Sequence, residues 1–151
     1  MEKLEVLKRS EMFRELNDDQ LKVIEKMGSY QEYEPGAVIC RQGECEERVY
    51  VVEDGLVGIV LEVGPLAQRQ VQTATNFETF GWSGMIEPYV YTATVKALEK
   101  TRALAFNGRE LCNLCDTNPN IACVICRSVA RLVASRLRAA YIQLLGVTYQ
   151  E

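Results

Sequence analysis

The chain has 151 residues, 48% of them hydrophobic, enough for one domain that buries roughly two-thirds of its unfolded surface. With 17 basic and 21 acidic residues the net charge is −4, so no global positive field draws it to nucleic acid or anionic lipid, and a small-molecule or protein partner is expected. No apolar run reaches the ~18 residues of a membrane span, and the start Met1-Glu2-Lys3-Leu4-Glu5 lacks the order of a signal peptide, which points to a cytoplasmic protein whose cysteines are kept reduced.

Residues 1–28 read as a helical lead-in. Leu4, Leu7, Met12, Phe13 and Leu16 suit a short apolar helix, and Asn17 or Asp18 caps a second that runs to about Met27 and stops at Gly28. From 29 to 107 the texture is short β runs punctuated by Glu34-Pro35-Gly36, Arg41-Gln42-Gly43, Glu53-Asp54-Gly55 and Gly64-Pro65, the pattern of a small barrel or sandwich. Ala37–Cys40, Arg48–Glu53 and Leu56–Leu61 are rich in β-branched residues, and the Glu53-Asp54-Gly55 step reads as a hairpin turn with Gly55 supplying a positive φ. Thr92–Leu98 and Arg102–Phe106 complete the β region. Over 109–145 the pattern is helical: a piece from Arg109 to Cys115, then a long helix opened by Asn118 and Pro119. Its apolar stripe includes Ile121, Ile125, Val129, Leu132, Val133, Leu137, Ala140, Leu144 and Leu145; Arg127, Arg131, Arg136 and Arg138 make a charged face. The sum is a single α+β domain.

Histidine is absent, and no nucleophile–base pair, carboxylate pair or P-loop pattern occurs, so the chain does not read as an enzyme. Glu87 stands alone among apolar neighbours, and one carboxylate is not a mechanism. Cysteine offers more. Cys112-Asn113-Leu114-Cys115 and Cys123-Val124-Ile125-Cys126 supply the four thiolates that a zinc or iron–sulfur site needs, if the link Asp116–Asn120 folds one helix onto the other. The competing reading is that these thiols serve as small hydrophobes on helix faces. Cys40 and Cys45, flanking a turn, are a further redox candidate.

Tyr33-Glu34-Pro35-Gly36, Ile39 and Gly43, then Val49-Tyr50-Val51-Val52, Gly55 and Val57, a Phe80-Gly81 turn and a long closing helix appear in order. From about Leu7 to Arg138 the chain resembles the cyclic nucleotide-binding domain of the catabolite activator (Crp/Fnr) family, without the DNA-binding domain. The resemblance implies a jelly-roll β-barrel flanked by N-terminal helices and a long C-terminal helix, serving as a non-catalytic regulatory module. The family's phosphate-binding cassette reads Phe-Gly-Glu-Leu-Ala-Leu and, a few residues on, Pro-Arg-Ala-Ala-Thr-Val. Backbone N–H groups and the Arg hold the phosphate, and the Glu accepts from the ribose hydroxyl.

Here the cassette, residues 80–92, keeps its frame, but Trp82 occupies the Glu position and Tyr91 the Arg position. Gly81, Ser83 and Thr92 keep backbone and hydroxyl roles, so the implied ligand site is Gly81, Trp82, Ser83, Tyr91 and Thr92. The lost Arg–phosphate contact is worth about 1.5–3 kcal/mol, at least tenfold in affinity. Cyclic nucleotide is therefore disfavoured unless Arg41, Arg69 or Arg131 substitutes. Two readings stay open: the rings line a pocket for a different ligand, with Tyr89 joining them, or they plug it. Alternatives are a regulator that does bind cyclic AMP or cyclic GMP and a cysteine-based metal or redox sensor on the same fold. The stripe Ile125, Val129, Leu132, Leu137, Ala140 and Leu144 lies close to a three-four repeat, so a homodimer through this helix is expected. With Glu151 following soon after, direct DNA binding is not.

Overall fold

In the computed structural model, which describes residues 1–45 and 47–149, two short helices lead in: α1, Lys3–Arg9, and α2, Asp18–Glu25. Asn17 starts α2. Its side chain accepts from the Gln20 backbone N–H at 2.9 Å, and the Gln20 side chain accepts from the Asn17 N–H at 3.0 Å, satisfying two otherwise unpaired donors reciprocally.

Eight strands follow: β1 Ser29–Tyr33, β2 Val38–Cys40, β3 Arg48–Asp54, β4 Leu56–Gly64, β5 Ala67–Thr75, β6 Thr79–Phe80, β7 Thr94–Ala97 and β8 Thr101–Asn107. They form two antiparallel sheets of four strands, ordered β1-β8-β3-β6 and β2-β7-β4-β5. Strand β3 shows why the layers stack as they do. Side chains alternate across a strand, so Val49 and Val51 point to a core shared with Leu7, Phe13, Ile24 and Leu111, while Tyr50 and Val52 point to a barrel core with Ile39, Val57 and Phe80. Both faces are covered, and all four residues are buried.

The expected hairpin is corrected here, and strands not named from the sequence are added. Gly55 does have a positive φ, +138°, but Glu53-Asp54-Gly55 is not a hairpin turn: β3 pairs with β6 and β8, whereas β4 pairs with β5 and β7. The chain crosses from one sheet to the other at that step. The hairpin is β4–β5, turning at Gly64 to Ala67. Strands β1, β5 and the two-residue β6 were not anticipated; β1 and β5 carry no alternating apolar pattern, and the run from Ala67 to Arg69 is wholly exposed.

Helix α3 spans Gly108–Thr117 and α4 spans Pro119–Tyr149. Asn107 caps α3, accepting from the N–H groups of Arg109 and Glu110 at 2.9 and 3.2 Å. Asn118, expected to cap α4 with its side chain, instead turns its amide back to donate to the Leu114 carbonyl at 3.2 Å. The α4 stripe divides in two. Ile121, Ile125 and Leu132 are buried against the domain, whereas Leu137 and Leu144 are 50% and 73% exposed. Among the described residues no helix is long and apolar enough to cross a membrane. Glu151, on which the DNA-binding expectation turned, lies outside the described residues.

Candidate functional site

Phe80 anchors the cassette, its ring edge-on to Tyr50 at 4.7 Å between centroids. Gly81 then takes φ +77°, where a Cβ would also lie 3.1 Å from the Arg48 carbonyl oxygen, so the turn requires glycine. The next four residues, Trp82–Met85, form a single 3₁₀ turn. A Cβ on Gly84 would lie 2.7 Å from the same Arg48 oxygen, and one on Gly108 would collide with the Gly84 carbonyl. The cassette is thus held backbone to backbone between β3 and the start of α3. The Cys112 thiol adds a contact, donating to the Met85 carbonyl at 3.4 Å.

Tyr91 enters from the other side of the loop. Its backbone is tied to the segment after β2, with Tyr91 N–H donating to Glu44 O at 3.1 Å and Gly43 N–H donating to Tyr91 O at 2.8 Å. Its ring is 3% exposed and belongs to the barrel core with Cys40, Phe80 and Val95. The hydroxyl donates to the Arg48 carbonyl at 2.8 Å. Burial, with the Cys40 thiol beside it, raises the pKa of this phenol far above its ordinary value; the group stays neutral.

All five residues expected at the ligand site line one cavity, together with Ile59 and Val95. Its volume is about 40 Å³. Small-molecule pockets run to roughly 300–1,000 Å³, and one water takes about 30 Å³ of liquid volume, so in this conformation the space suits a water rather than a nucleotide.

Trp82 is met by Arg136 of α4, whose guanidinium carbon sits 5.7 Å from a ring centroid of the indole, within cation–π range. Arg136 also donates to the Thr73 carbonyl at 3.1 Å and the Thr79 carbonyl at 3.2 Å, and lies 3.8 Å from Glu11 Oε1. Glu11 accepts from the Thr79 N–H at 2.9 Å. Burial pushes the Glu11 carboxyl up from its ordinary pKa, against the lowering effects of the Thr79 bond and Arg136. Arg136 therefore joins the last helix, the barrel, the lead-in and the cassette. Sequence reasoning placed it only among four arginines on a helix face; nothing local distinguishes it. Of the substitutes considered instead, Arg131 pairs with Glu15 at 3.2 Å, Arg41 and Arg69 are exposed, and none of the three lines the cavity.

The other candidates separate. Tyr89 lies beneath the Arg109 guanidinium, 4.7 Å from its ring centroid, rather than lining the cavity. Glu87, read as flanked by apolar residues, is exposed. Cys40 is buried in the barrel and Cys45 is exposed. Helices α3 and α4 do fold together, bringing Cys112, Cys115 and Cys126 to one cavity. Cys123 lies outside it, its sulfur accepting from Arg127 at 3.5 Å. Among the described residues no group of three or more His, Cys, Asp or Glu side chains is arranged to hold a metal ion.

Residues 30–118 match the cyclic nucleotide-binding domain family, more than half of the chain. The chain belongs to that family. A protein from Geobacter metallireducens named as a cyclic nucleotide-binding protein has a similar structure, with a TM-score of 0.79 and 26% identity over 91% of this chain and 99% of its own. The catabolite activator protein of Thermus thermophilus has a TM-score of 0.75 and 23% identity over 93% of this chain and 64% of its own, a likeness of fold. A protein of Rhodopseudomonas palustris named as a potassium channel is 30% identical over 129 residues, 85% of this chain; the chain spans 30% of that relative's length. The family match ends at residue 118, so α4 lies beyond it.

Proposed function

We propose that this cyclic nucleotide-binding domain is a non-catalytic regulatory module whose cassette is closed to cyclic nucleotides, and which communicates through α4. The observation that carries this reading is the placement of Tyr91. Where the family pattern has an arginine for phosphate, a neutral phenol fills the space and donates its proton to Arg48 O. Expelling the ring would cost about 1.5–3 kcal/mol of lost burial before any ligand contact formed. The cyclic AMP and cyclic GMP binding reading loses support for that reason. In a thermal-shift titration, neither nucleotide at millimolar concentration should move the midpoint; a saturable rise with either would reject the closed cassette.

On α4 the positions Ala130, Val133, Leu137, Ala140 and Leu144 follow an unbroken three-four spacing, and Leu137 and Leu144 stay largely exposed. The seam for a second copy is this one, not the stripe through Ile125 and Leu132, which the domain itself covers. Light scattering under reducing conditions should give twice the 17.1 kDa chain mass, and Leu137→Glu should return it to the monomer. A wild-type monomer at every concentration would exclude the dimer.

A further inference from the structure

A cavity of about 480 Å³ opens between α3, α4 and the end of the cassette turn. Met85, Ile86 and Ile125 give it an apolar wall, and three thiols face it: Cys112 and Cys115 from α3, Cys126 from α4. The thiols differ in their surroundings. Cys112 is engaged with the Met85 carbonyl. Cys115 is half-buried, and burial first, then the neighbouring Cys126 and Cys112 thiols, push its pKa up to about 11. Cys126 is exposed. Only Asn118 separates the two helices in sequence, so the chain doubles back and sets α4 against α3 with Cys126 and Cys115 on the shared cavity.

We propose that Cys115 and Cys126 form a reversible disulfide tying α3 to α4, made by exchange with a low-molecular-weight disulfide such as oxidised glutathione. The Cys126 thiolate attacks one sulfur of the reagent. A glutathione thiolate leaves and takes up a proton, and a mixed disulfide remains on Cys126. Cys115 gives its proton to solvent and its sulfur displaces the second glutathione. Two protein thiols and one glutathione disulfide become one protein disulfide and two glutathione thiols. Because burial keeps Cys115 protonated, the second exchange is slow and the mixed disulfide accumulates before the bridge. A disulfide needs Cα atoms about 4.4–6.8 Å apart, so the bridge requires α3 and α4 to meet at that separation across the cavity they share. Closure would press on Met85 and Ile86, so the bridge reports directly to the cassette turn. The site requires neither the closed cassette nor the dimer.

The test is treatment of the reduced full chain with oxidised glutathione, followed by thiol titration and peptide mapping without reduction. Mapping should find a Cys115–Cys126 peptide pair, with glutathione adducts only on thiols outside the bridge, no covalent dimer on a non-reducing gel, and full recovery of the six free thiols by dithiothreitol. Cys115→Ser should retain a stable glutathione adduct on Cys126, and Cys126→Ser should form no bridge. Six surviving thiols in the wild type, a bridge at another pair, or a link between two chains would each overturn the proposal, and the wild-type map decides this without any variant.

Discussion

Tyr91→Ala is expected to lose about 3–5 kcal/mol of folding free energy, the usual cost of truncating a buried aromatic side chain. The ring is 3% exposed among Cys40, Tyr50, Phe80 and Val95, and its removal also leaves Arg48 O without the phenol donor. Tyr91→Phe separates the two contributions: it keeps the ring and should lose only about 1 kcal/mol. Urea denaturation of the three proteins reads both numbers. A side chain that merely lined an open ligand pocket would give up less than about 1 kcal/mol on truncation, so the alanine variant distinguishes a plug from a lining. With total stabilities of about 5–15 kcal/mol typical of such domains, the plug reading makes Tyr91 one of the main supports of the barrel.

Arg136→Ala should cost about 2–3 kcal/mol. It removes charge-assisted bonds to the Thr73 and Thr79 carbonyls and takes the cation away from Glu11. The Arg136 side chain is 15% exposed, so solvent screens these contacts only partly. Arg136→Lys should recover less than half, because an ammonium cannot present two parallel donors. The deficit should depend on pH. Burial raises the Glu11 pKa in the folded protein, so the stability contributed by protonating Glu11 is complete in acid, below the ordinary carboxylate pKa of about 4.3, and is lost as pH rises through the raised value. Removing Arg136 raises that value further. The Arg136→Ala deficit is therefore smaller at about pH 4 and largest near neutrality, which denaturation at the two pH values will show.

The turns were legible because each demanded a particular backbone. Gly36, Gly43, Gly55 and Gly81 all adopt positive φ, which glycine alone takes without strain, and that regularity carried the family resemblance. The apolar run of β3 was legible because both of its faces are covered. What local pattern could not carry was partnership. The Asp54-Gly55 step has the residues of a hairpin, yet the strands on either side join different sheets. Strand β5, Ala67–Thr75, is held by its pairing with β4 and not by its own composition. In α4 a single stripe was read where there are two, because Leu132 faces the domain and Leu137 faces away, and a helical period of about 3.6 residues drifts against a repeat of about 3.5 over its length.

At the site, the cassette frame and the two missing charges could be read from residues 80–92, and the cavity gathers the five residues named. Whether Trp82 and Tyr91 lined a pocket or filled one depended on groups distant in sequence. Arg48 offers its carbonyl to Tyr91 from β3, and Arg136 meets Trp82 from α4. Neither contact leaves a local signature, since one uses a backbone oxygen and the other a single arginine among several.

The central claim is that these two side chains close a cassette whose frame is intact. Isothermal titration of cyclic AMP into the wild type and into the Trp82→Glu, Tyr91→Arg double variant tests it most directly, because that variant restores both charges of the family pattern. The account predicts no binding heat from the wild type and saturable binding by the variant; saturable binding by the wild type would contradict it.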